Sequence, residues 1–225
     1  MNVRRPAIGL ETESIISRIF AEKILCRILG LGQTTVESDT SKLGSFYAHT
    51  LDGAPRQHWH VLDEHLKCVA GMASGFAAAF GAPEWGYAAG LWHDLGKYAQ
   101  AFQNYLLSGA AEDYHQADLK GRVDHTSAGA QHAVERVEIL GHLLAYAIAG
   151  HHAGLLDGIG DGASLDKRLR KSIDPWKHGL KGLPDIPPPR LPGVLQEALC
   201  RRASDPKATA FAFAFFARMI FSCLV

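Results

Sequence analysis

The sequence predicts an all-α fold. Apolar side chains recur at helical spacing in each segment with a clear period, for example Leu62, Leu66, Val69, Phe76 and Phe80. No stretch alternates apolar and polar residues as a half-buried strand would, and no internal repeat is found. The third observation is a set of histidines and one aspartate spread over four helical segments. Only a bundle brings such residues to one point, and bundle cores commonly hold paired metal ions.

The bulk properties set the class. At 225 residues, 47% hydrophobic and 20% charged, the chain can bury one sizeable core. Its 23 basic and 23 acidic residues cancel, so no global field draws it to nucleic acid or membrane, and any basic surface is local. The four cysteines, Cys26, Cys68, Cys200 and Cys223, form no C-x-x-C and are expected as reduced thiols of a cytoplasmic protein. The N-terminus has charges at Arg4, Arg5, Glu11 and Glu13 and no apolar leader core. The apolar run 208–225 contains Arg218 and is expected as a buried core helix, not a membrane span.

The elements follow in order. Residues 12–29 read as an amphipathic helix stopped by Gly30 and Gly32, and 33–45 as a polar linker. Residues 1–45 therefore form an unassigned appendage to a domain over 46–225. A helix over about 60–80 places His65 beside Leu66, on or next to its apolar face. Pro83 suits the first turn of the next helix, which carries Trp85, Ala88, Ala89, Trp92 and Leu95 inward and His93-Asp94 with them. Helix continues over 99–107, residues 108–124 read as loop, and Asp124 is the expected N-cap of a helix through His132. A short apolar helix over 143–150 ends at His151-His152. The prolines at 184 and 187–189 mark a stiff connector, followed by helices from Gly193 and from Asp205-Pro206.

The stretch Leu91-Trp92-His93-Asp94-Leu95-Gly96-Lys97 carries the chemistry. Polar side chains in so apolar a setting need partners. A hydrogen-bonded pair inside a helix is the ordinary reading. A metal ion satisfies imidazole and carboxylate together, and a carboxylate can bridge two ions. Lys97, three residues after Asp94, projects from the same face. The run from Gly90 to Lys97 is one residue too long for a phosphate-binding loop and lacks its Ser or Thr. His132 is about 10 Å along the helix axis from His125, so it and His142 are expected bystanders. Lys167, Arg168, Arg170 and Lys171 form the best local candidate for binding a phosphate backbone.

The ordered set is more specific than any member. It runs Tyr47-Ala48-His49-Thr50, then His65, then His93-Asp94 with Gly96-Lys97. It continues through Phe102-Gln103 with Tyr105-Leu106, then Asp124-His125 with Ala128-Gly129-Ala130, and ends at Gly150-His151-His152 with Gly154-Leu155. This pattern resembles the HD superfamily of metal-dependent phosphohydrolases, and within it the HD nuclease domain of type I CRISPR-associated helicase-nucleases. The resemblance covers about residues 46–225. It implies an HD-domain helical bundle with a dinuclear metal site in its core. Asp94 would bridge two ions, with His65 and His93 on the first and His125, His151 and His152 on the second. Lys97 would lie close enough to touch a phosphate. The family completes the first position with an aspartate just beyond a segment like 221–225, which this sequence does not include. That position is therefore expected to be weak and the chain a poor nuclease as it stands.

The chemistry agrees with the resemblance. Two ions roughly 3.5–4 Å apart neutralise a phosphodiester and activate water. A histidine-rich donor set favours Mn, Fe, Co, Ni or Zn over Mg. The expectation is a nuclease acting on single-stranded DNA in antiviral defence, partnered by a CRISPR surveillance complex and a helicase domain or subunit. Two alternatives stand beside it. One is a nucleotide or cyclic-nucleotide phosphohydrolase of the same superfamily, and the other a metal-poor HD module that only binds.

Overall fold

The computed structural model describes residues 45–51, 53–108, 123–160 and 163–225. The helix expected over 12–29, its linker up to residue 44 and most of the loop expected over 108–124 lie outside the described residues. The described part is mostly helical, as the periodicity predicts. It departs from an all-α description in one small antiparallel pair, β1 (Tyr47–His49) and β2 (His60–Val61). Two- and three-residue strands are too short to display an alternating pattern, which is why the sequence hides them.

The helices are α1 (Leu62–Ala78), α2 (Pro83–Trp92), α3 (Gln100–Leu107), α4 (Thr126–Val137), α5 (Gly141–Gly150), α6 (Leu165–Arg170), α7 (Gly193–Cys200) and α8 (Pro206–Ser222). The α1–α2 pair packs most closely. Its seam is made of small residues, Ala70, Ala73 and Ala77 facing Gly86 and Gly90. A Cβ on Gly90 would stand 2.6 Å from the Ala70 backbone, so the helices can approach this far only without side chains there. On α2, Trp85 is wholly buried and meets the Phe216 ring of α8 edge-on at 5.2 Å. Its Nε1 donates to the Arg190 carbonyl at 2.8 Å. Arg190 in turn grips Glu84 through Nε and Nη2, which pins the proline-rich connector to the start of α2.

The helix expected to run on through Leu95 instead stops at Trp92, and Leu95–Tyr98 forms a 3-10 turn. His93 and Asp94 stand at this break. The turn lies flush on the next element: Gly96 N donates to the His125 carbonyl at 3.2 Å, and a Cβ on Gly96 would fall 2.3 Å from that oxygen. Glycine is required there by close approach.

Two expectations about side chains need correction. The terminal apolar helix is buried on one face only. Thr209, Phe216, Ala217 and Ile220 face inward, while Phe211 and Phe215 are 69% and 51% exposed and stack on each other at 5.8 Å. Cys68 is disulfide-bonded, so the expectation of four reduced thiols fails for it, whereas Cys200 and Cys223 are free. Among the described residues no helix is long and apolar enough to cross a membrane.

Candidate metal centre

Five elements converge on Asp94, which is 2% exposed. The break after α2 supplies His93 and Asp94, and the 3-10 turn supplies Lys97. The first turn of α1 supplies His65, the start of α4 supplies His125, and the end of α5 supplies His151 and His152. The histidines expected from the sequence as ligands are thus gathered around Asp94, although α1 and α5 are far apart in sequence with α2, α3 and α4 between them.

The two oxygens of Asp94 face different partners. Oδ2 lies 3.1 Å from His93 Nε2, 3.4 Å from His65 Nε2 and 2.8 Å from Lys97 Nζ. Oδ1 lies 3.3 Å from His125 Nε2 and 3.4 Å from His151 Nε2. This division is what a bridging carboxylate presents, one oxygen to each of two ions. Two donor groups result. Asp94, His125, His151 and His152 have ligand atoms within 4.8 Å of one another, and so do His49, His65 and Asp94.

The histidine tautomers can be read from their other nitrogens. His93 Nδ1 is 2.7 Å from the Gly90 carbonyl, His151 Nδ1 is 2.7 Å from Ile148 O, and His125 Nδ1 is 3.2 Å from Val123 O. A carbonyl only accepts, so each Nδ1 carries a proton, and in the neutral His125 and His151 rings the Nε2 lone pair is then turned toward Asp94. Burial, opposed by the nearby carboxylate, pushes the His125 imidazole down to about 3 and lowers that of His151. Burial also brings His65 down to about 3. Burial disfavours the ionised form of Asp94, but the Lys97 ammonium 2.8 Å from Oδ2 outweighs it and holds the carboxyl well below its usual range.

Lone pairs thus face an ionised carboxylate at 3.3–3.4 Å without a proton between them. Asp94 Oδ1 and His151 Nε2 are both buried and neither has a hydrogen-bond partner. An arrangement of mutually repelling acceptors is unfavourable on its own. A cation at their common focus turns each repulsion into a bond, so these residues fit a divalent metal. The backbone carbonyls behind the rings are the outer partners that orient metal-binding histidines.

The other expected site residues fall around this centre. Lys97 is buried and committed to Asp94 Oδ2 and to the Ala48 carbonyl at 3.2 Å. Gln103 of α3 explains the Phe-Gln motif: its Oε1 accepts from Tyr47 N at 3.0 Å, and its Nε2 donates to Tyr47 O and Lys97 O. It therefore ties β1 to the 3-10 turn. Asp124 receives Ser127 N and Oγ at 3.1 and 2.8 Å, the expected capping role, and also pairs with Arg168 and Lys171. Arg170 pairs with Asp166 along α6. Away from the centre, His132 sits edge-on between Trp92 and Trp176, at 5.0 and 5.5 Å. His142 bonds the Ile139 carbonyl.

Sequence reasoning does not single out His49 as a ligand. It has no helical period to place it, and its one signal is its position beside Tyr47-Ala48 in a motif. The two acidic residues nearest His65 are not substitutes. Asp63 accepts the Tyr98 hydroxyl at 2.6 Å, and Glu64 is exposed.

No family model matches the chain, and no curated protein matches it.

Proposed function

We propose that this chain is a metal-dependent phosphodiester hydrolase of the HD type, acting on single-stranded DNA as the nuclease of a type I CRISPR system. The observation that carries the hydrolase reading is the convergence of His65, His93, His125 and His151 Nε2 atoms on the two oxygens of one buried carboxylate. The nuclease assignment within that class rests on the ordered motifs from Tyr47 to Leu155.

Two divalent ions, when bound, would supply charge neutralisation at phosphorus and an activated water. The chain's residues prepare that chemistry. His125, His151 and His152 form one donor set and His65 with His93 the other, with Asp94 common to both. Carbonyls of Gly90, Val123 and Ile148 hold three of the rings in the metal-ready tautomer. Lys97 draws on Oδ2 alone, leaving Oδ1 with undivided charge for the His125/His151/His152 position. That position is the tighter of the two. Transition metals suit the imidazole-rich donors better than Mg. Further partners of this reading are a CRISPR surveillance complex and a helicase, which would supply the unwound strand.

The test is cleavage of labelled single-stranded DNA across Mn, Fe, Co, Ni, Zn and Mg, with Asp94→Asn as control. Metal-dependent cleavage that disappears in the variant is expected. Hydrolysis of mononucleotides or cyclic nucleotides with DNA left intact would overturn the nuclease reading in favour of a nucleotide phosphohydrolase. A protein that takes up no metal would overturn both.

A further inference from the structure

The two donor groups around Asp94 are unequal. The one on the Oδ1 side has three histidines. The one on the Oδ2 side has His65 and His93 and shares its oxygen with Lys97. Two neutral imidazoles and half of a partly neutralised carboxylate are a poor set for a divalent ion.

A further imidazole stands beside this poorer position. His49 on β1 meets the His65 ring edge-on at 5.1 Å and 82°, and its ligand atom lies within 4.8 Å of those of His65 and Asp94. Metal–nitrogen bonds are about 2.0–2.1 Å, so small side-chain adjustments bring such atoms onto one ion.

The backbone explains why this side chain is there. Tyr47 pairs with Val61 and His49 with His60, so two steps on β1 match one on β2. The extra residue is a bulge at Ala48. Bulges re-aim side chains and are frequent beside functional sites. Here the bulge lets Tyr47 pack with Phe102 and Leu106 while His49 turns toward His65. Three hydrogen bonds hold the strand in place: Tyr47 N and O to the Gln103 amide, and Lys97 Nζ to the Ala48 carbonyl. The strand gives Ala48 to the main core and Tyr47 to the smaller Phe102–Leu106 cluster, and the same bonds fix the position from which His49 reaches His65.

We propose that His49 is a metal ligand of the His65/His93 position, delivered by the bulged β1 strand, with Gln103 and Lys97 as positioning residues for that strand. The inference rests on the two-ion reading of the site. It supplies that position with a third imidazole from among the described residues. The weaker position is then a three-imidazole, shared-carboxylate site that prefers Co, Ni or Zn to Mg or Mn.

The experiment is calorimetric titration of the metal-free full chain with Co(II), followed in parallel by the visible absorption of the bound ion. Wild type is expected to bind in two steps, a tight one and a weaker one. His49→Ala should weaken the second step by at least about 10–100-fold and remove its share of the absorption, leaving the tight step unchanged. Retention of the tight step shows that the variant is folded. His49→Glu should restore the second step, because a carboxylate of similar reach can replace the imidazole. His60→Ala, whose ring also meets His65 edge-on at 5.2 Å but lies outside the donor group, should alter neither. A second step unchanged in His49→Ala would overturn the assignment while leaving two ions in place. Loss of that step in His60→Ala but not in His49→Ala would move the ligand to β2 and equally overturn it. A single step in wild type would overturn the two-ion reading itself.

Discussion

Asp94 and Lys97 form a buried ion pair, 2.8 Å apart and each 2% exposed. A buried ammonium left without its carboxylate costs about 3–5 kcal/mol, whereas replacing both partners is often neutral. Asp94→Asn is therefore expected to abolish metal uptake and also to lower stability by roughly that amount. Asp94→Asn combined with Lys97→Met should recover most of the stability and none of the metal binding. Denaturant melts and elemental analysis of the two proteins check this; a stable single variant would show that Lys97 finds another partner. At this scale the histidines at 65, 93, 125, 151 and 152 are legible in the sequence because they stand at helix starts, helix ends or inward faces. His49 is not, because a bulged three-residue strand carries no period. The role of Gln103 is equally hidden, since its partners include backbone atoms of Tyr47, 56 positions away.

Among the elements, α6 tests how far charge can be read from sequence. Its basic run is visible there, but its pairing is not. Arg168 and Lys171 reach Asp124, the residue before His125, so half of the run braces the metal centre. Arg170 pairs with Asp166 on its own helix, and its side chain is 80% exposed. Exposed pairs of that kind contribute little and exchange readily for a phosphate. Lys167→Gln with Arg170→Gln should reduce the salt dependence of single-strand binding by about 0.7 in log–log slope for each phosphate-neutralising charge removed, with metal affinity unchanged. Arg168→Gln should behave differently, loosening the Asp124 turn and weakening the His125 position as well. Binding isotherms from about 50 to about 200 mM salt separate the cases. An unchanged slope for the first pair would make α6 an ordinary solvated face. The same limit applies to α8, whose period is clear in the sequence while the choice of buried face is not. Phe211 and Phe215 share the spacing of a core stripe yet lie outward.

Across the whole molecule, the buried histidines make the metal-free protein sensitive to acid. Burial, more than any other influence, holds His65 and His125 down to about 3 and His132 to about 4. In the unfolded chain each would titrate near its ordinary value of about 6.5. Below that pH the unfolded chain binds protons that the folded chain refuses, so stability falls with pH. The contribution is fully present above about pH 6.5 and is lost as pH falls toward the folded values. Between about pH 7.5 and 5.5 each such histidine accounts for about 1.4 kcal/mol. Asp94 acts in the same direction but only near and below the carboxylate range, so it adds nothing in this window. These three histidines alone account for about 4 kcal/mol, and burial holds His49, His151 and His152 down as well, so the expected loss exceeds that, a large part of the stability of an ordinary domain. His132 gives an independent check because it stands between two tryptophans, outside both donor groups. His132→Phe should remove its own share of the pH dependence, about 1.4 kcal/mol, and leave metal binding intact. Bound metal holds the donor histidines neutral in the folded chain and its affinity falls in acid, so the stabilisation that Zn confers should itself shrink as pH drops. Denaturant titrations in chelator and in saturating Zn, at about pH 7.5, 6.5 and 5.5 to span the ordinary histidine value, measure all three effects. A chelated wild type equally stable across that range would mean that these rings take up protons while folded, and that the lone pairs facing Asp94 are not bare.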